Sequence, residues 1–195
     1  MLPNFIRRRW LVALLGLVSV VTLVLVGRRL NATKVGGQQP AEPFRIAGNL
    51  YYVGSTGVTA FLLTGPQGHV LIDGGYPETA PLIIGSIAKL GFKITDVKAL
   101  LNTHAHFDHA GGLSALQRAS GAELWISDGD SDVMAAGGRG ESGLGLVGVV
   151  LFLTGELTFA APRIDHRFKD GDTIRVGPIA LTAHVTAGHT RGCTS

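Results

Sequence analysis

Four ligand-type side chains crowd into the run Thr103-His104-Ala105-His106-Phe107-Asp108-His109. Imidazole nitrogen is a good zinc ligand, and carboxylate oxygen binds the ion as well. In an extended stretch alternate side chains share one side, so His104 and His106 can converge on one ion. Asp108 and His109 come as the chain turns and can reach a second ion beside the first. A metal pair so spaced clamps the attacking and leaving atoms of a hydrolysis. Gly111 and Gly112 follow, allowing backbone to pack closely beneath the site. A polar turn with no ligand would gain nothing from four such groups in so short a span.

The elements that must position this run are legible around it. Leu50–Val53, Val58–Thr64 and His69–Asp73 are short apolar or β-branched stretches broken by Gly and Pro, which predicts an antiparallel meander. Pro77–Leu90 carries Ile83, Ile87 and Leu90 at helical spacing, so a helix should lie on that sheet. Val97–Thr103 is a buried strand leading straight into the histidines, and Gly111–Ala119 reads as the next helix. Ala122–Ser127 is a further strand, Asp128–Ala136 a further helix, and Thr173–Val176 and Ile179–Ala187 return to strand. A meander followed by strands alternating with helices predicts helices packed on sheet faces, an α+β layered fold. The segment 137–161 breaks the pattern. Its glycine-rich start and the apolar Leu144–Phe152 read either as a buried element or as a flap beside the site.

With 195 residues the chain is long enough for about one domain, and its aliphatic, weakly charged composition suits a packed core. The net charge of +3 owes much to Arg7, Arg8, Arg9, Arg28 and Arg29, which flank one apolar run, WLVALLGLVSVVTLVLV, from Trp10 to Val26. No basic stripe interleaved with aromatics appears, so nucleic acid is excluded as a partner. A basic start followed by an apolar stretch is an export segment, either a cleaved signal peptide or a retained membrane tether. Both place the domain in the periplasm, soluble or anchored to the inner membrane. The expected organisation is an export segment over 1–30, a Gly- and Pro-containing linker over 31–45, and a globular domain over 46–195. The single cysteine, Cys193, can form no internal disulfide and reads as a buried thiol.

The H-x-H-x-D-H run resembles that of the metallo-β-lactamase superfamily. Three further stretches are similar to the third subclass of true metallo-β-lactamases: Gly68 to Gly75 (GHVLIDGG), Leu90 to Lys98 (LGFKITDVK) and Thr186 to Ser195 (TAGHTRGCTS). The resemblance implies a four-layer αβ/βα sandwich and two zinc ions. It assigns His104, His106 and His189 to the first zinc, and Asp108 and His109 to the second. It implies a small-molecule substrate, a β-lactam, opened by hydroxide held on the metals, with Asp108 as the catalytic residue that orients it. Asp73 resembles the family's aspartate beneath the metals, as turn former, as support for the ligands, or as both. His69, His166 and His184 read as turn or surface residues.

The family's second zinc takes one more histidine, downstream of Gly188-His189-Thr190, which the sequence does not reach before Ser195. The resemblance therefore implies the N-terminal portion of a longer protein, with an incomplete second site and little activity by itself. A lactonase or thioesterase of the same superfamily, or a zinc-binding remnant without catalysis, are the other readings the sequence leaves open.

Overall fold

The computed structural model describes residues 16–22, 25, 38–140 and 157–195. They belong to two compact units, Met1–Gly36 and Gly37–Ser195. In the first, residues 16–22 and 25 are helical, with Leu17, Val18, Val20, Val21 and Leu25 exposed. Most of the apolar run 10–26 and much of the expected linker lie outside the described residues, as do 141–156 of the expected flap. Among the described residues no helix is long and apolar enough to cross a membrane.

The second unit is built on a seven-stranded sheet in sequential order. Strands β1 (Phe44–Ala47), β2 (Leu50–Tyr52), β3 (Phe61–Leu63) and β4 (His69–Ile72) form the antiparallel meander that the Gly- and Pro-punctuated runs predict. From β4 onward the pairing turns parallel, through β5 (Val97–Leu101), β6 (Glu123–Ser127) and β7 (His166–Phe168). Parallel neighbours need crossovers. Helix α1 (Ala80–Lys89) makes the first, and α2 (Phe107–Ala110) with α3 (Leu113–Ser120) the second. Helix α4 (Ser131–Ala135) follows β6.

Side-chain alternation decides what each face of the sheet meets. Leu71, Leu100, Leu124 and Ile126 point to the helices, where Ile83 and Ile87 of α1 and Leu113 and Leu116 of α3 are fully buried against them. Val70, Ala99 and Leu101 point the other way, onto Phe168 and the hairpin of β8 (Thr173–Val176) and β9 (Ile179–Thr182). Each such fully buried aliphatic side chain contributes roughly 1.5–3 kcal/mol. Burial on both faces explains why β5 is apolar at every position except the exposed Lys98, and not an alternation.

Three expectations needed adjustment. β1 and β7 lie outside the runs that signal strands: β1 alternates Phe44 and Ile46 with Arg45 but is exposed throughout, and β7 is only three residues long. The strand expected over Ile179–Ala187 ends at Thr182, after which Val185 leaves the ladder and donates to Asp170 Oδ1 at 2.9 Å. The stretch Phe107–Ala110, expected only to turn, makes a helical turn of its own.

Candidate metal centre

Because β4, β5 and β6 run parallel, their C-terminal ends lie along one edge of the sheet, the edge where sheets of this kind bind ligands. Asp73 follows β4. His104 and His106 follow β5 and lead into α2, which carries Asp108 and His109. His189 arrives from the loop after β9. The glycines make this convergence possible. Gly74 N–H donates to His109 O at 2.7 Å and Gly112 N–H to Gly75 O at 3.2 Å. A Cβ on Gly112 would run into the Gly74 carbonyl, and one on Gly74 would lie 2.8 Å from the Leu113 nitrogen.

The five sequence-predicted ligands all meet here. Ring centroids of His104 lie 4.6 Å from His106, 4.2 Å from His109 and 4.7 Å from His189, and His106 is 4.4 Å from His189. One ligand atom from each of His104, His106 and His189 lies within 4.8 Å of the others, and the same holds for His104, Asp108 and His109. The remaining candidates stay outside both groups. His69 accepts from Gly65 N–H at 3.3 Å and packs edge-on against Phe92, while His166 stacks on Trp125 at 3.9 Å and meets Glu123 at 2.9 Å. His184 is exposed, and Cys193 is half-buried, not a core thiol.

Asp73 sets the orientation of two of the rings. It is 3% exposed and holds a left-handed backbone with φ 63°, a strained conformation that Asp tolerates better than most residues. Oδ1 accepts from Asn102 Nδ2 at 2.9 Å and Thr103 N at 2.8 Å. Oδ2 accepts from Thr103 Oγ1 at 2.7 Å and His109 Nδ1 at 2.8 Å. The Thr103 hydroxyl has spent its one proton on the carboxylate, so it accepts from His104 Nδ1–H at 3.1 Å. Both rings therefore carry their proton on Nδ1 and leave the Nε2 lone pair for a metal.

Protonation states follow from the same surroundings. Burial, with the neighbouring His109 and His106, pushes the His104 pKa down to about 4. Burial and the nearby His189 also lower that of His106. Burial acts against the His109 cation too, but the Asp73 hydrogen bond and the charges of Asp73 and Asp108 outweigh it and raise the pKa. A neutral imidazole binds metal without first releasing a proton. The donor set passes a second test of fit. His104 Nε2 is buried and has no hydrogen-bond partner among the described residues. An unpaired buried nitrogen costs about 1–3 kcal/mol, which a bound cation would offset.

One residue of the site escaped the sequence reading. Asp130, 2% exposed and placed just before α4, accepts from Ala105 N at 3.0 Å, Thr190 Oγ1 at 2.7 Å and Gly192 N at 2.8 Å. Its only sequence signal, an acid before a short helix, is that of an ordinary helix start. Beside His106 and His189 opens a cleft of about 600 Å³, within the usual range for small-molecule sites, with Arg139 and Arg191 on its walls. Arg139 belongs to the near end of the segment 137–161, so that end does border the cleft.

Residues 53–195 match the family model described as the metallo-beta-lactamase superfamily, and the chain belongs to that family. Among solved structures it is similar to the FEZ-1 metallo-beta-lactamase of Legionella gormanii, at 40% identity and a TM-score of 0.73, covering 80% of this chain and 57% of that one. It is also similar to BJP-1, a subclass B3 metallo-beta-lactamase of Bradyrhizobium japonicum, at 36% identity and a TM-score of 0.72, covering 82% and 57%. Among curated proteins, a hydroxyacylglutathione hydrolase of Jannaschia sp. is 29% identical over 133 residues, 68% of this chain and 40% of that protein. The fold is thus the metallo-β-lactamase fold, of which the chain carries part: it spans under three fifths of the solved lactamases and two fifths of the curated hydrolase.

The hydrogen-bond chain makes a spectroscopic prediction. Ring-nitrogen NMR of the metal-free protein at about pH 6 should show His104 neutral, with its proton on Nδ1, although a free histidine is substantially charged there. An imidazolium, or a proton on Nε2, would contradict the Asp73–Thr103–His104 relay.

Proposed function

We propose that the protein is a dizinc hydrolase of β-lactams that acts in the periplasm. The observation that carries this reading is the convergence of His104, His106 and His189, with Asp108 and His109 alongside, in a chain 40% and 36% identical to solved metallo-β-lactamases. Nitrogen-rich donors suit zinc, and a three-histidine site leaves a coordination position open. When bound, the metal pair supplies an acidified water, with a pKa near about 7, and charge to stabilise the departing nitrogen.

This chain's residues do the rest. His104, His106 and His189 would hold the first ion, and Asp108 and His109 the second. The Asp108 carboxylate, half-buried and 3.9 Å from His109 Nε2, accepts a hydrogen bond from the attacking water and turns its lone pair toward the lactam carbonyl. The water oxygen bonds to that carbon, the ring C–N bond breaks, and the proton goes to the released nitrogen. Arg139 and Arg191 on the cleft walls, which also carry the exposed Asp132, offer partners for an anionic group, which suits the carboxylate of a β-lactam.

A thioester-hydrolysing reading is favoured by one observation, the 29% identity to a hydroxyacylglutathione hydrolase, and the higher identity to lactamases ranks it second. Among the described residues, Asp108 and His109 are joined only by His104, which also serves the first group, so the second ion should bind more weakly. The 195-residue chain should then take up one zinc tightly and a second loosely, with little turnover. A form extended to the relatives' length should hydrolyse a penicillin or carbapenem well ahead of an S-acylglutathione, and lose that activity to a chelator. Faster thioester turnover would move the assignment to the second reading; zinc without turnover of either substrate would leave a binding remnant.

The apolar run Trp10–Val26 behind Arg7, Arg8 and Arg9 supports the location. Cell fractionation should recover the domain with the periplasm or the inner membrane. Unprocessed protein in the cytoplasmic fraction would refute that.

A further inference from the structure

His104 and His109 are aimed by hydrogen bonds to their own rings, through Thr103 and Asp73. His189 is not. Among the described residues its ring has no hydrogen-bond partner and meets the rings of His104 and His106, and it is exposed. It also comes from a loop far along the chain from the other ligands, so its place depends on whatever holds that loop.

We infer that Asp130 is the positioning residue that holds the His189 loop against the His104–His106 loop and so completes the three-histidine site. The inference rests on the reading of these histidines as metal ligands. Its carboxylate bridges the two loops directly. Oδ2 takes the N–H of Ala105, the residue between His104 and His106, and the hydroxyl of Thr190, the residue after His189. Oδ1 takes the N–H of Gly192. Three donors satisfy the carboxylate as an anion despite its burial, and hydrogen bonds to charged groups are the strong kind.

Neighbouring contacts keep the loops in register. Ser127 Oγ donates to Gly192 O at 2.6 Å, and Thr194 N–H to Thr103 O at 2.9 Å. Gly192 leaves no room for a side chain: a Cβ there would meet Ser127 Oγ and the Asp130 backbone nitrogen. The loops thus close directly on Asp130, with no side chain of Gly192 in between.

Asp130→Asn tests this, because an amide turns a donor toward at least one of the three donors now satisfied. Zinc affinity of the first site is read by competition with a chromophoric chelator, alongside the visible spectrum of the cobalt(II) form and the Tm of the metal-free protein. Loss of a group that orients a ligand costs about 10–100-fold in metal affinity, and Asp130→Asn should fall in that range with a changed cobalt spectrum. Thr190→Val, which removes only the link to the His189 loop, should lose about 3–10-fold, and Thr190→Ser, which keeps the hydroxyl, should recover it. If Asp130→Asn does not fold, the Thr190 pair decides the matter. A lowered Tm with unchanged affinity and spectrum would reduce Asp130 to a fold residue and overturn the inference, as would equal losses for Thr190→Val and Thr190→Ser. A parent chain that takes up no zinc would instead bring down the metal reading, and the inference with it.

Discussion

A single buried carboxylate, that of Asp73, governs the chemistry this chain can offer. Four donors converge on its two oxygens, two of them from Thr103, one from Asn102 and one from the His109 ring. Removing a charge from water is expensive unless hydrogen bonds replace the lost hydration. Here the replacement bonds come from the loop that carries the histidines, so satisfying Asp73 and aiming the histidines are one event. The left-handed backbone at Asp73, φ 63°, is part of the same arrangement, since it turns the chain at the end of β4 into the two glycines that touch α2.

The sheet makes that event possible. Parallel pairing of β4, β5 and β6 brings Asp73, the His104–His106 loop and Asp130 to one edge, although they are spread along the sequence. Two carboxylates then divide the work. Asp73 orients rings within the loop after β5, and Asp130 ties that loop to the one that bears His189. Burial does the rest, keeping His104 neutral and its Nε2 without a partner among the described residues, a state that favours a cation over bulk water.

The sequence made the contiguous parts of this site legible and the scattered parts not. His104, His106, Asp108 and His109 stand together because neighbouring ligands must come from one loop, and such density has no structural purpose of its own. His189 has no such neighbours, and only the resemblance carried by the residues around it singled it out. Asp130 was illegible: a carboxylate before a short helix looks like any helix start, and its partners Ala105, Thr190 and Gly192 lie far off in the sequence. The fold divides in the same way. A strand buried on both faces, such as β5, announces itself, whereas four-residue β1, exposed throughout, and three-residue β7 are too short for side-chain type to mark them and join the sheet through backbone pairing.

The claim that Asp73 aims the metal ligands is tested most directly by Asp73→Asn. Whichever way the amide turns, its NH2 replaces an acceptor: it faces either the Thr103 hydroxyl and His109 Nδ1–H or the Asn102 amide and Thr103 N–H, so the loop that carries the histidines loses two of its four bonds. Measured by chelator competition, zinc affinity should fall by about 10–100-fold relative to the unaltered chain. Affinity within error of the parent, in a protein that still folds, would contradict the account.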